Sequence, residues 1–204
     1  MLSAEGVSLR FGGIAALKDV SFNVWPHEIF SIIGPNGAGK TSILNCLSGY
    51  YKPQQGRITF ESRELNGLKA HQRAALGLGR TFQNLELFRN MTVLENILLG
   101  RHLFMQSGIL SGGFFLGKAL REEESHRLKA EEIIDFLEIH SARRKLVSEL
   151  PYGIQKRVEL GRALAAEPKL LLLDEPAAGM NLEETEDIVR FILDVHEEFH
   201  ATVI

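Results

Sequence analysis

"GPNGAGKT", residues 34–41, fits the spacing G-x-x-x-x-G-K-[ST]. It follows the apolar run "IFSII" (29–33), read as a strand, and opens "KTSILNCLSG" (40–49), helical by pattern and closed by Gly49. A glycine loop between a strand and a helix suits a phosphate chain. The glycines let backbone N–H groups wrap the phosphates, and the helix N-terminus adds a positive dipole end. Lys40 can then reach the outer phosphate oxygens, and the Thr41 hydroxyl can face Mg²⁺. Gly34, Pro35, Asn36, Gly37, Ala38, Gly39, Lys40, Thr41 and Ser42 are the candidate binding residues. The plain alternative is a glycine turn with an exposed lysine.

Upstream, "LSAEGVSLRF" (2–11) and "LKDVSFNVW" (17–25) read as strands, the second with Val20, Phe22 and Val24 alternating, so the opening third is β-rich. Downstream, a turn around Pro53 and Gly56 leads to the strand "RITF" (57–60), then to a short helix and an edge strand ending near Gln83. Thr92 and Glu95 have capping-box spacing ahead of the next helix. Residues 105–118 are glycine-rich without a clear period and read as a loop, whereas Arg121 to Glu138 place Ala130, Ile133, Ile134 and Leu137 on one helical face. The remainder alternates helix, strand, helix, strand. Its third element carries a stripe of Ile188, Phe191, Ile192, Val195 and Phe199, and "ATVI" is the last strand. Apolar, non-alternating strands such as "LLLL" suit a parallel sheet covered on both faces.

"LLLLDEP" (170–176) supplies the second half of the chemistry. An apolar strand delivers Asp174 and Glu175 to its carboxyl end, the usual ligand edge of a parallel sheet. Asp174 can hold Mg²⁺ through water, and Glu175 can polarise a water attacking the terminal phosphate. Taken alone, acidic residues at a strand end are as readily helix caps.

Composition narrows the class. The 204 residues are 45% apolar, enough for a real core, and the net charge of −3 provides no strong positive field for nucleic acid. The single Cys46, beside Leu44 and Leu47, forbids an internal disulfide and reads as a buried structural thiol. No signal-peptide pattern opens the chain, and no apolar run is long enough for an ordinary membrane span. A cytosolic chain is the default expectation.

"GPNGAGKT", Gln83 in "RTFQ" (80–83), "LPYGIQKR" (150–157) and "LLLLDEP" together resemble the ordered motifs of ABC transporter ATPase subunits. The likeness spans nearly the whole chain. "LRFGGIAALKDVSF" (9–22), "RTFQNLELFRNMTVLENILLGRH" (80–102) and "DEPAAGMN" (174–181) are similar to the subgroup serving branched-chain amino-acid importers.

The resemblance implies an α/β P-loop NTPase core of RecA-like type, with an N-terminal antiparallel β subdomain and an inserted α-helical subdomain that ends in the signature. It divides the chain into a core with the β subdomain and phosphate loop at 1–83, a helical subdomain at 84–157 and the remainder of the core at 158–204. The implied cofactors are ATP and Mg²⁺. Phe11 would stack on adenine, Lys40, Gln83 and Glu175 would act in hydrolysis, and Thr41, Gln83 and Asp174 would face the metal. Two ATPase subunits would meet head to tail, so that Pro151, Tyr152, Gly153, Ile154 and Gln155 of one touch the nucleotide of the other. Asn181 falls in the D-loop, where aspartate is usual. Membrane-spanning permease subunits would dock beside Gln83, a periplasmic solute-binding protein would deliver the solute, and the subunit would lie on the cytoplasmic face of the inner membrane. No nucleic-acid partner is implied.

Two departures stand out. Where most relatives have L-S-G-G-Q, this chain has Leu150, Pro151, Tyr152, Gly153 and Ile154. Pro151 suits a first helical turn but removes a hydroxyl and a backbone donor. The chain also stops at "HATVI" (200–204), before the place of the family's switch histidine, and His200 precedes the strand. The expectation is a C-terminally truncated importer ATPase. A hydrolysis-deficient nucleotide-binding subunit and a soluble ABC ATPase of translation or DNA repair stay open beside it. Among solutes, urea and other amino acids stay open beside the branched-chain class, as does lipopolysaccharide export.

Overall fold

The computed structural model describes residues 1–81, 85–105 and 118–204. Gln83 and residues 106–117 of the expected loop lie outside them. The chain divides into two compact units, one of Met1–Arg80, Pro168–Glu175 and Ile192–Ile204, the other of Thr81–Glu167 and Pro176–Phe191.

In the first unit, β1 (Leu2–Phe11), β2 (Ile14–Val24), β3 (Gln55–Phe60) and β4 (Arg63–Glu64) form an antiparallel sheet in the order β2-β1-β3-β4. Along β1 the side chains of Leu2, Ala4, Val7 and Leu9 are buried. The period of two slips between Ala4 and Val7, where the register with β2 shifts, so both halves of the strand keep an apolar face inward. Helix α1 (Lys40–Ser48) buries Ile43, Leu44, Cys46 and Leu47, and a short helix, α2 (Ala70–Ala74), follows it in the chain.

A second, parallel sheet contains β5 (Leu78–Arg80), β6 (Leu170–Leu172) and β7 (Thr202–Val203), with β6 central and β5 at an edge. All three residues of β6 are fully buried, as its continuous apolar run predicts for a strand flanked on both sides. Leu2, Leu47, Ile58, Phe60, Leu170 and Leu172 share one core with residues from both sheets and α1.

The expected strand "IFSII" is shorter than its composition suggests. Only Ile29 bridges Val203, through Phe30 N–H donating to Val203 O at 2.8 Å and Val203 N–H donating to Glu28 O at 2.9 Å. Beyond Phe30 no ladder continues among the described residues, and Ile33 is 92% exposed. Apolar β-branched residues favour extended backbone, but a strand also needs a neighbour to pair with.

The second unit is helical. Helix α3 (Val93–Gly100) starts at the Thr92–Glu95 capping box, in which Glu95 N–H donates to Thr92 Oγ1 at 3.3 Å and Thr92 N–H donates to Glu95 Oε2 at 2.7 Å. Helix α4 (Lys118–Phe136) starts earlier and ends sooner than expected, yet Ala130, Ile133, Ile134 and Leu137 are buried as their spacing requires. Helix α5 (Tyr152–Leu164) follows Pro151. Helix α6 (Leu182–Glu198), of which the residues from Ile192 onward are counted in the first unit, buries Ile188, Phe191 and Val195, whereas Phe199 lies past the helix end and is partly exposed. No described helix is long and apolar enough to cross a membrane.

Candidate functional site

The loop in the first unit takes its shape from two positive-φ glycines, Gly37 at 82° and Gly39 at 93°. Gly39 caps α1, and a Cβ there would stand 2.6 Å from the carbonyl oxygen of Ala16. Only glycine fits both the angle and the space. Pro35, Asn36, Gly37 and Ala38 are exposed, and Ala38 N–H closes a turn onto Pro35 O at 3.2 Å. Gly34 is partly covered, with room for a Cβ only 3.2 Å from that of Ala38. The Lys40 ammonium folds over its own loop, donating to Gly34 O at 2.9 Å and Pro35 O at 3.2 Å, and lies 3.7 Å from Glu175 Oε1. Ser42 follows in the first turn of α1 and is partly buried.

Asp174 and Glu175 stand just past the carboxyl end of β6. Asp174 is 2% exposed. Its Oδ1 accepts from the Thr41 hydroxyl at 3.1 Å, and its Oδ2 meets Arg80 Nη2 at 3.3 Å. Arg80 also donates from Nη1 to Ser48 Oγ at 2.6 Å. Burial lowers the Arg80 guanidinium from its ordinary pKa, and Asp174 opposes that shift. Glu175 has a left-handed backbone, φ 50°, a strained angle for a non-glycine residue. The Thr41 and Asp174 oxygens form a hard, oxygen-only donor pair of the kind Mg²⁺ accepts while keeping several waters. The residues present therefore fit a magnesium-bound phosphate chain.

Phe11 closes the β1–β2 hairpin opposite Ile14 and is 47% exposed. The Tyr51 ring meets it at 5.0 Å and 70°, and Tyr50 lies 5.2 Å from Tyr51. Sequence reading singled out Phe11 alone, although two aromatics directly after α1 were the available signal for the rest of the cluster. Arg80 was also missed, because an arginine at a strand end carries no motif of its own.

The signature residues lie in the second unit, beside the segment after Glu175. Pro151 occupies the N-cap rather than the first helical turn, and its carbonyl accepts from Gln155 N–H at 3.0 Å. Gln155 folds back and donates from Nε2 to Leu150 O at 2.7 Å, and Ile154 is partly buried. The Tyr152 hydroxyl donates to Ala178 O at 3.1 Å. Gly153 is buried, and a Cβ there would collide with the carboxylate of Glu184. The close approach that this glycine permits is thus made within the chain by Glu184.

Asn181 and Glu184 cap α6 reciprocally. Glu184 N–H donates to Asn181 Oδ1 at 2.9 Å, and Asn181 N–H donates to Glu184 Oε2 at 3.1 Å. Glu184 therefore touches both Gly153 and Asn181. The N-x-x-E spacing was an available signal for this cap that sequence reading missed, and no spacing marks the contact with Gly153. His200 stands before β7, its carbonyl 2.7 Å from His27 Nδ1.

A family model described as ABC transporter matches residues 17–178. The chain is 40% identical to the high-affinity branched-chain amino acid transport ATP-binding protein LivG of Salmonella typhimurium, over all of this chain and 80% of that protein. Its fold is similar to the ADP conformation of MJ1267, an ATP-binding cassette of an ABC transporter, with a TM-score of 0.84 and 33% identity over 100% of this chain and 79% of that one. A dimeric post-hydrolysis state of the cassette MJ0796, bound to ADP and Pi, is similar at a TM-score of 0.82 and 27% identity, covering 100% of this chain and 86% of that one.

Proposed function

This chain belongs to the ABC transporter family, and from that premise we propose that it is the ATP-binding and ATP-hydrolysing subunit of an importer for branched-chain amino acids. The observation that carries the reading is the convergence of Thr41 on Asp174 and of Lys40 on Glu175 at the carboxyl edge of β6. Identity to LivG supports the solute class.

In this reading residues Gly34 to Ser42 cradle the phosphates of ATP, and Phe11 offers its exposed ring to the adenine. Lys40 leaves its loop carbonyls for the outer phosphate oxygens, so the ammonium exchanges two neutral acceptors for charged ones. When bound beside Thr41 and Asp174, Mg²⁺ neutralises the charge of the phosphate chain. Glu175 accepts the proton of the attacking water as Lys40 moves from its side to the phosphates.

The nucleotide is completed from a second ATPase subunit placed head to tail, whose residues at the positions of Pro151 to Gln155 face the terminal phosphate. The dimeric state of MJ0796 supports the pairing of two such subunits. Membrane-spanning permease subunits at the cytoplasmic face of the membrane receive the resulting motion, and a solute-binding protein supplies the amino acid from outside.

Phosphate release from Mg²⁺-ATP, compared with a Lys40→Ala variant, tests the enzymatic reading. Turnover indistinguishable between the two refutes it. Uptake of labelled leucine, valine and isoleucine by cells with and without the gene tests the solute class, and loss of uptake for urea alone would move the assignment away from branched-chain amino acids.

A further inference from the structure

Arg80 closes β5 and joins the end of α1 to the end of β6. Its Nη1 holds Ser48 Oγ at 2.6 Å, in the last turn of α1, and its Nη2 holds Asp174 Oδ2 at 3.3 Å. The Arg80 and Asp174 side chains are 7% and 2% exposed, so water does little to screen or replace the contact. The Asp174 carboxylate is thereby committed at both oxygens, one to Thr41 and the other to Arg80. Two directed contacts on opposite oxygens fix the plane of a carboxylate, whereas the Thr41 hydroxyl alone leaves it free to turn about its Cβ–Cγ bond. Thr41 itself rides on the first turn of α1, and Ser48 on the last, so the guanidinium also holds the helix against the strand that carries Asp174.

We propose that Arg80 is a positioning residue for magnesium-dependent hydrolysis, setting the orientation of Asp174 and its separation from Thr41 through a clamp on Ser48. The proposal rests on the ATPase reading above. A group behind a metal-facing carboxylate commonly changes metal affinity or activity by about 10–100-fold when removed. Fork geometry matters as much as charge: a lysine keeps the charge but cannot reach Ser48 and Asp174 along two fixed directions.

Arg80→Lys, Arg80→Gln and Ser48→Ala are compared with the unaltered chain in two measurements. The first is binding of a fluorescent ATP analogue in EDTA and again in saturating Mg²⁺. The second is the Mg²⁺ concentration giving half-maximal phosphate release. Binding in EDTA is expected to stay within about twofold, since the phosphate loop is untouched. The tightening produced by Mg²⁺ is expected to fall about tenfold for both Arg80 variants, and the Mg²⁺ midpoint to rise by a similar factor. Ser48→Ala shifts both in the same direction by less. If Arg80→Gln fails to fold, Arg80→Lys and Ser48→Ala decide the matter. Arg80→Lys matching the unaltered chain overturns the proposal, whether Arg80→Gln also matches it or binds Mg²⁺ more tightly, as simple loss of a repelling charge requires. Lys40-dependent turnover in the unaltered chain keeps this outcome distinct from failure of the ATPase reading, in which the unaltered chain and Lys40→Ala behave alike.

Discussion

Thr41 Oγ1 donates to Asp174 Oδ1 at 3.1 Å across 133 positions of sequence, joining the first turn of α1 to the end of β6. That contact brings the phosphate loop and the acidic strand end into one site. Two motifs that are separately compatible with a turn and a helix cap become, once adjacent, the candidate ligand set on which the proposed function rests.

Replacing Glu175 by Gln keeps the shape but removes the proposed proton acceptor and the charge that faces Lys40 at 3.7 Å. Turnover is expected to fall at least about 100-fold, the usual contribution of a general base, with nucleotide binding retained. Phosphate release and equilibrium binding measured on the same preparation check this. Loss of both together would mean that Glu175 supports the loop instead of the chemistry.

Pro151→Ser restores a hydroxyl and a backbone donor at the N-cap of α5, where Pro151 makes no side-chain cap bond. One added hydrogen bond of about 1 kcal/mol corresponds to roughly fivefold tighter contact with a phosphate presented by a second subunit. Light scattering in the Glu175→Gln background, with and without ATP, reads the dimer fraction. An unchanged dimer fraction would show that the proline does not weaken the shared site.

Arg73 is fully buried and donates to four carbonyls: Cys46 O at 2.6 Å, Leu47 O at 2.8 Å, Leu65 O at 2.7 Å and Leu68 O at 3.1 Å. It satisfies acceptors at the C-terminal end of α1, whose other end carries Lys40 and Thr41. Arg73→Met fills much of the space but leaves those acceptors dry, for an expected loss of about 3 kcal/mol. The urea midpoint measures it. A midpoint unchanged from the parent would show that the carbonyls find other partners.

Burial raises the Cys46 thiol to about 11, with the nearby Arg73 charge opposing the shift. An unfolded thiol ionises from about pH 8.5, so above that pH the unfolded state holds fewer protons than the folded one. The contribution to stability is whole below about 8.5 and is lost as pH rises through the folded value. Denaturation midpoints should therefore fall across that alkaline window, and less so in Cys46→Ala. At pH 8 a thiol reagent should label Cys46 only on unfolding.

Local structure was legible where neighbouring residues form a complete device. The phosphate-loop glycines answer to their own φ angles, the Thr92–Glu95 cap spans a single turn, and the buried face of α4 follows from its period. "IFSII" was overread because its side chains report an extended preference, while the ladder depends on β7, some 170 residues further along, which pairs only as far as Phe30. Phe199 was placed on a helical stripe although α6 ends at Glu198, since the period carries no mark of its own end.

By itself the sequence determined that a glycine loop opens α1, that two carboxylates follow a buried strand, and that a helix follows Pro151, each a matter of backbone conformation within a few residues. Tertiary structure alone decided the partners of these groups. Arg80 clamps Asp174 to Ser48, Arg73 closes the far end of α1, and Glu184 fills the space beside Gly153 while capping Asn181. Such pairings leave no spacing to read, because a charged side chain can meet any oxygen within its reach. Packing of the surrounding core selects which one.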